Sequence, residues 1–135
     1  MFYPEFYPTP SPVIHQMLSL IDSSATCWLE PSAGKGNIAE AIRYRSKRAQ
    51  IDVIEQNPEL AATLIGKEFS LVGHDWLEYD GVSYYDAIVM NPPFSNADKH
   101  ILKAWDFLYA GQIVSLMPTR MFTHPSTAEQ MRLRD

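Results

Sequence analysis

The chain has 135 residues, of which 46% are hydrophobic and 20% charged, with a net charge of -5. That length suits one domain able to bury roughly 68% of its unfolded surface, and the acidic balance argues against a strong grip on a polyanion by this chain alone, which needs clustered Lys and Arg. A single cysteine, Cys27, and the scattered His15, His74, His100 and His124 exclude a disulfide framework and offer no metal-ligand spacing, while the absence of an apolar run of membrane length or a signal peptide in MFYPEFYPTP predicts a cytoplasmic chain with no membrane partner.

In chain order, Phe2-Tyr3-Pro4 and Phe6-Tyr7-Pro8 form a local aromatic-proline repeat that reads as extended. Ser11-Pro12 predicts a helix cap followed by proline at the first helical position, with Val13, Ile14, Met17, Leu18 and Ile21 on the apolar face of a helix over about 12–21. Strands are then expected at 25–30, 51–55, 69–73, 86–90 and 113–117, and helices at 38–45, 58–65 and 98–108. Short apolar strands alternating with helices imply crossover units. The expected fold class is α/β, a doubly wound, mostly parallel sheet in one domain over 1–135. Within it, 1–22 would be an N-terminal motif and helix, 25–118 the core, and 119–135 a tail. Ligands in such folds bind beyond the carboxyl ends of the strands, so the turns there are where chemistry is sought.

The first such turn is Glu30-Pro31-Ser32-Ala33-Gly34-Lys35-Gly36-Asn37. Two glycines permit a tight turn and close approach of a ligand, and the helix that follows presents amides. The loop lacks the Lys-Ser/Thr ending of a phosphate-cradling loop and the third glycine of the dinucleotide fingerprint. Glu55 ends the second strand 21 positions after Gly34, where an acid can accept from ribose hydroxyls, and Asp75 follows the third strand. Each acid alone reads as a solvated strand end. As an ordered set, Glu30, Glu55 and Asp75 suit an adenosine-containing ligand, with Trp76 placed to pack on a ring.

The fourth turn is Asn91-Pro92-Pro93-Phe94, reached from the strand Ala87-Ile88-Val89-Met90. The Asn91 side-chain carbonyl and the Pro92 backbone carbonyl are two acceptors held on a rigid turn. Phe94 offers a flat face. Together they suit a planar group bearing an NH2, whose protons they would accept, freeing the nitrogen lone pair. The bland alternative is a rigid loop with Phe94 as a core plug.

NPPF together with EPSAGKG resembles the S-adenosylmethionine-dependent amino-methyltransferases, above all DNA adenine methyltransferases of phage and plasmid type. Phe6-Tyr7-Pro8-Thr9-Pro10 is similar to the motif that precedes the glycine loop in some of them, and the resemblance spans about residues 3–118. It implies a Rossmann-like methyltransferase fold, S-adenosyl-L-methionine as cofactor, and methyl transfer to the exocyclic amine of adenine in DNA. Carried over by position, Tyr7, Thr9 and Pro10 would meet the methionine end. Glu30, Ser32, Ala33, Gly34 and Gly36 would line the amino-acid and sugar region. Glu55 would bind the ribose and Asp75 the adenine amine, with Trp76 or Gln56 beside the ring. Asn91, Pro92, Pro93 and Phe94 would hold the flipped target base and carry catalysis, Asn91 also bordering the cofactor.

The resemblance breaks down after Pro118. Only 17 residues follow it, so the expectation is a fold lacking the carboxyl-terminal hairpin, with Ser126 to Arg134 as a terminal helix at best. Arg43, Arg45, Lys47 and Arg48 read as a solvated helix end, and Arg120, Arg132 and Arg134 as weak candidates for phosphate contact. DNA is expected to bind weakly to the chain alone, and a homodimer or a separate recognition subunit is the expected partner. Two other readings stay open: transfer to RNA adenine or protein glutamine, and a cofactor-binding module that transfers nothing.

Overall fold

The computed structural model describes residues 8–82 and 84–117. Tyr7, the aromatic-proline text before Pro8 and everything after Met117, with the roles expected of them, lie outside the described residues.

Five strands form one sheet: β1 (Cys27–Glu30), β2 (Gln50–Ile54), β3 (Ser70–Gly73), β4 (Ala87–Met90) and β5 (Gln112–Ser115), in the order β3-β2-β1-β4-β5 with every neighbouring pair parallel. Among the described residues four helices accompany them: α1 (Ser11–Ser19), α2 (Asn37–Arg45), α3 (Pro58–Gly66) and α4 (Ala97–Phe107). The chain winds outward from β1 through α2 and α3 to β3. It then returns to the other side of β1 to lay down β4 and, through α4, β5. The reversal between β1 and β4 is the topological switch point, where the strand ends splay and leave a crevice.

Side chains alternate across each strand, so the sheet has two apolar faces. Trp28, Ile51, Val53, Ala87 and Val89 pack with α1 and α2 and with Leu64 of α3. Leu29, Ile54, Ile88 and Met90 pack on the opposite face with Trp76 and Ala104 of α4. Full burial of residues such as Leu29, Val53, Ile88 and Met90 contributes about 1.5–3 kcal/mol each. Covered on both faces, the strands carry no polar stripe, and this is why AIVM reads as a continuous apolar run.

Polar side chains set the register at the amino ends of the strands. Asp86 Oδ2 accepts from the Thr26 and Cys27 amides, both at 2.9 Å, and from the Thr26 hydroxyl at 3.1 Å, tying β4 to β1. These donors hold its carboxyl below the usual carboxylate range. Gln112 bridges β5 to the end of α1, accepting from the Asp22 amide and donating to the Leu20 carbonyl. Inside the sheet, the Tyr85 hydroxyl donates to Asp52 Oδ2 at 2.7 Å, which partners one oxygen of an otherwise buried carboxylate.

Two local expectations are corrected. Pro10, in an extended conformation, occupies the cap of α1; Ser11 is already helical and makes no cap bond, so Pro12 stands one place further in. Arg43 is not a loosely solvated cation. Its guanidinium donates to the Lys67 and Glu68 carbonyls and lies 3.8 Å from the Phe69 ring centre, closing the end of α3.

Candidate active site

A cavity of about 610 Å³ opens beyond the carboxyl ends of β1 to β4. Its walls come from Pro8 and Thr9, Glu30 to Lys35, Asn37 and Ile38, Glu55 to Asn57, Glu59 and Leu60, His74 to Trp76, Asn91 with Pro93, and His100. The volume is that of a pocket for one small molecule.

The glycine loop is built from backbone bonds and one carboxylate of another strand. Ala33 N–H donates to the Ile54 carbonyl and Gly36 N–H to the Ala33 carbonyl. Glu55, only 6% exposed, accepts from the Gly34 amide at 2.7 Å through Oε1 and from the Asn57 amide at 2.8 Å through Oε2. It therefore tethers the loop as well as lining the cavity. Gly34 and Gly36 both sit at positive φ, +58° and +90°. The two glycines differ in surroundings. A Cβ on Gly34 would meet nothing within 4 Å, whereas one on Gly36 would come within 2.9 Å of Leu64 and 3.4 Å of Phe69. Gly36 caps α2 and packs against the core, and the cavity wall is formed by its neighbours Gly34, Lys35 and Asn37.

Glu30 is 2% exposed, and its Oε1 accepts from the Ala39 amide at 3.1 Å. Burial pushes its carboxyl well above the usual range; the Ala39 bond opposes this and the Glu55 charge adds to it. It is no solvated strand end. Asp75 is exposed to the cavity, and its Oδ1 accepts from the Leu77 amide, starting a one-turn 3-10 helix over Trp76–Glu78 that the apolar pattern did not predict. Trp76 departs from expectation. It is 2% exposed, donates from Nε1 to the His100 carbonyl at 3.0 Å, and stacks edge-on to Phe107 with ring centres 5.3 Å apart. The indole is committed to the core beneath the cavity and forms its floor rather than a free stacking platform. Gln56 lines the wall as expected.

Across the cavity, Asn91 Nδ2 donates to Thr9 Oγ1 at 3.0 Å. Thr9 is 7% exposed, so this bond joins the segment before α1 to the turn after β4 in a largely dry setting. The bond engages the donor end of the Asn91 amide, and an amide oxygen is an acceptor. Pro93 borders the cavity, Pro92 is buried behind the turn, and Pro10 is exposed outside it. Phe94 starts a 3-10 turn at 94–96 and is 39% exposed, so it is not a core plug.

Ten wall residues stand outside the expected site residues, among them Lys35, Asn57, His74 and His100. Lys35 and Asn57 lie beside predicted positions. His100 carried a signal, since it stands four residues before the fully buried Ala104 on one face of α4, and a polar residue on a buried helical face asks for an explanation. Its Nδ1 bonds the Asn96 carbonyl at 3.0 Å, while that of His74 bonds the Glu55 carbonyl at 3.2 Å.

The charge of the wall limits the ligand. Three carboxylates, Glu55, Glu59 and Asp75, face one lysine, Lys35, and burial favours the neutral form of the fourth acid, Glu30. Such a cavity suits a ligand with hydroxyls and cationic centres and opposes a polyphosphate.

No protein-family model matches the chain. A tRNA1(Val) (adenine(37)-N6)-methyltransferase of Aliivibrio fischeri strain MJ11 is 34% identical over 84 residues, 56% of this chain and 36% of the relative. The chain thus spans about a third of the length of the curated relatives it matches. Among solved structures, an RNA methyltransferase from Salinibacter ruber, crystallised with S-adenosyl-L-homocysteine, superposes with a TM-score of 0.68 at 23% identity over 83% of this chain and 79% of its own. A precorrin-6y C5,15-methyltransferase from Geobacter metallireducens GS-15 superposes at 0.62 with 16% identity, over 80% of this chain and 62% of its own. Methyltransferases of unlike acceptors share this architecture, and the five-stranded parallel sheet with its flanking helices is a Rossmann-like methyltransferase fold.

Proposed function

We propose that this chain binds S-adenosyl-L-methionine and directs its methyl group to the exocyclic amine of an adenine in RNA. The observation that carries the reading is convergence: one cavity unites the glycine loop, the acids closing β1 to β3 and the Asn91-Pro93 turn closing β4. Similarity to a tRNA adenine methyltransferase and to an RNA methyltransferase supports RNA over the DNA that the motif resemblance implied.

The residues fit the cofactor by chemistry. Glu55 has lone pairs beyond the two that bind loop amides, since a carboxylate offers about four acceptor positions, and these suit a ribose. Asp75 suits an aromatic amine. The Gly34 and Lys35 backbone lies open for close approach. When bound, the cofactor supplies an electrophilic methyl group on a sulfonium.

What the chain adds is positioning. Asn91 Oδ1, with Nδ2 held by Thr9, and the Pro92 carbonyl accept the two protons of the target amine. That shifts the nitrogen toward pyramidal geometry and makes its lone pair available for in-line attack. The N–C bond forms as the C–S bond breaks, and one amine proton passes to water. No side chain acts as a strong base. An adenine within a stem must first leave its stack, at a cost of a few kcal/mol.

The test is transfer of tritiated methyl to unmodified tRNA, ribosomal RNA and unmethylated duplex DNA in parallel, followed by nucleoside identification. Label in N6-methyladenosine from RNA is the expected result. Label confined to DNA would overturn the acceptor, and cofactor binding without transfer to any of the three would overturn the reaction.

A further inference from the structure

We infer that His100 reads the purine amine of the bound donor together with Asp75, making the pocket selective for an adenine over a 6-oxopurine. The inference rests on the cofactor reading above and adds a contact to it.

The tautomer follows from a bond already described. A backbone carbonyl can only accept, so the 3.0 Å contact between His100 Nδ1 and the Asn96 carbonyl places the proton on Nδ1. In the neutral ring Nε2 is then an acceptor. It has no partner among the described residues, and His100, 8% exposed, borders the cavity. Burial holds the imidazole below its ordinary range, outweighing the Asn96 bond and the charges of Asp75 and Asp98. The ring therefore stays neutral at pH 7 and keeps its acceptor.

Position assigns the end of the ligand it meets. The His100 carbonyl accepts from Trp76 Nε1, and the Asp75 charge acts on its ring, so His100 belongs to the end of the cavity where β3 closes. Asp75 spends Oδ1 on the Leu77 amide and leaves Oδ2 without a partner among the described residues. Two acceptors at one end of a pocket match the two protons of an NH2. A 6-oxopurine presents a carbonyl oxygen and a ring N–H instead, and the oxygen would face both acceptors.

The experiment is calorimetric binding of S-adenosyl-L-homocysteine and S-inosyl-L-homocysteine to the wild type and two variants. His100→Asn keeps a donor near Nδ1 for the Asn96 carbonyl and deletes the far acceptor. His100→Gln carries an amide oxygen near the place of Nε2. The wild type is expected to prefer the adenosine ligand, the Asn variant to lose about tenfold of that preference, as for one buried hydrogen bond, and the Gln variant to recover part of it. Thermal melting of both variants alongside separates a folding defect from lost recognition, and a variant that melts near the wild type with its preference unchanged overturns the inference. A wild type that binds both ligands equally also overturns it while leaving the cofactor reading intact. A wild type that binds neither removes both.

Discussion

Replacing Gly36 by alanine should destabilise the protein more than the same change at Gly34, although both glycines stand in one short loop at positive φ. A left-handed conformation costs a residue with a Cβ roughly 1–2 kcal/mol. Gly34→Ala meets only that cost, because nothing lies within 4 Å of the added methyl. Gly36→Ala adds a methyl 2.9 Å from Leu64 Cδ2 and 3.4 Å from the Phe69 ring. Leu64 is fully buried and Phe69 carries the Arg43 guanidinium on its face, so neither yields without disturbing its own neighbours. Overpacking of this kind costs about 1–3 kcal/mol, for a total of about 2–5 kcal/mol. With an unfolding entropy of about 2.1 cal/mol/K per residue, a domain of this size loses roughly 3–4 °C of Tm per kcal/mol. Gly36→Ala should therefore melt roughly 7–18 °C below the wild type, and Gly34→Ala roughly 4–7 °C below. Ligand binding should show the reverse order, with Gly34→Ala the more damaging, because its amide belongs to the cavity wall. Equal melting temperatures for the two variants, or a stable Gly36→Ala, would refute the division of the loop into a packing glycine and a ligand-side glycine.

Other outcomes follow from bonds described above. Thr9→Val should lower the rate of methyl transfer about tenfold or more, the range expected when a buried amide loses its hydrogen-bond partner, with Thr9→Ser close to wild type; equal kcat for all three removes Thr9 from the mechanism. Asn91→Ala should abolish transfer while calorimetry finds cofactor affinity within a few-fold, and unchanged turnover would exclude the amide from catalysis. Glu30 has its folded-state pKa raised, so wild-type stability is fully present below about 4.5 and declines as pH rises toward the folded value. Glu30→Gln keeps an acceptor for Ala39 and should show no such decline in a melting series; a parallel slope in the variant contradicts the assignment. Asp86 has the opposite sign: its folded pKa is lowered, so its contribution is present above about 3.8 and lost as pH falls through the folded value. Asp86→Asn should melt modestly lower at neutral pH, and the gap should close in acid. A gap that persists unchanged at low pH would point to the side-chain shape and not its charge.

The strand and helix plan was legible because each strand is a short apolar run bounded by turn residues and each helix presents a periodic face. Among the described residues the five strands and four helices fall within two residues of the expected ends. The two 3-10 turns were not, since Asp75 and Pro93 start them by local bonds and backbone angles that carry no periodic signature. The cavity wall was legible at the strand ends, where Glu30, Glu55, Asp75 and Asn91 follow short apolar runs. It was illegible where one residue serves two ends. Trp76 was assigned to the ligand because an aromatic beside an acid suggests stacking, but only the packing of α4 reveals that the indole points into the core. His100 was passed over because isolated histidines carry no metal spacing, and its place in the cavity depends on the long-range arrangement of α4 and β3.

The double tie of Glu55 to Gly34 and Asn57 has a consequence for how this pocket can be dissected. One side chain both braces the loop and faces the ligand, so removing it changes the shape of the receptor together with its affinity, and a weakened variant cannot say which was lost. The informative change lies in the guest: sugars lacking the 2′ or the 3′ hydroxyl interrogate the same oxygens while the host keeps its scaffold.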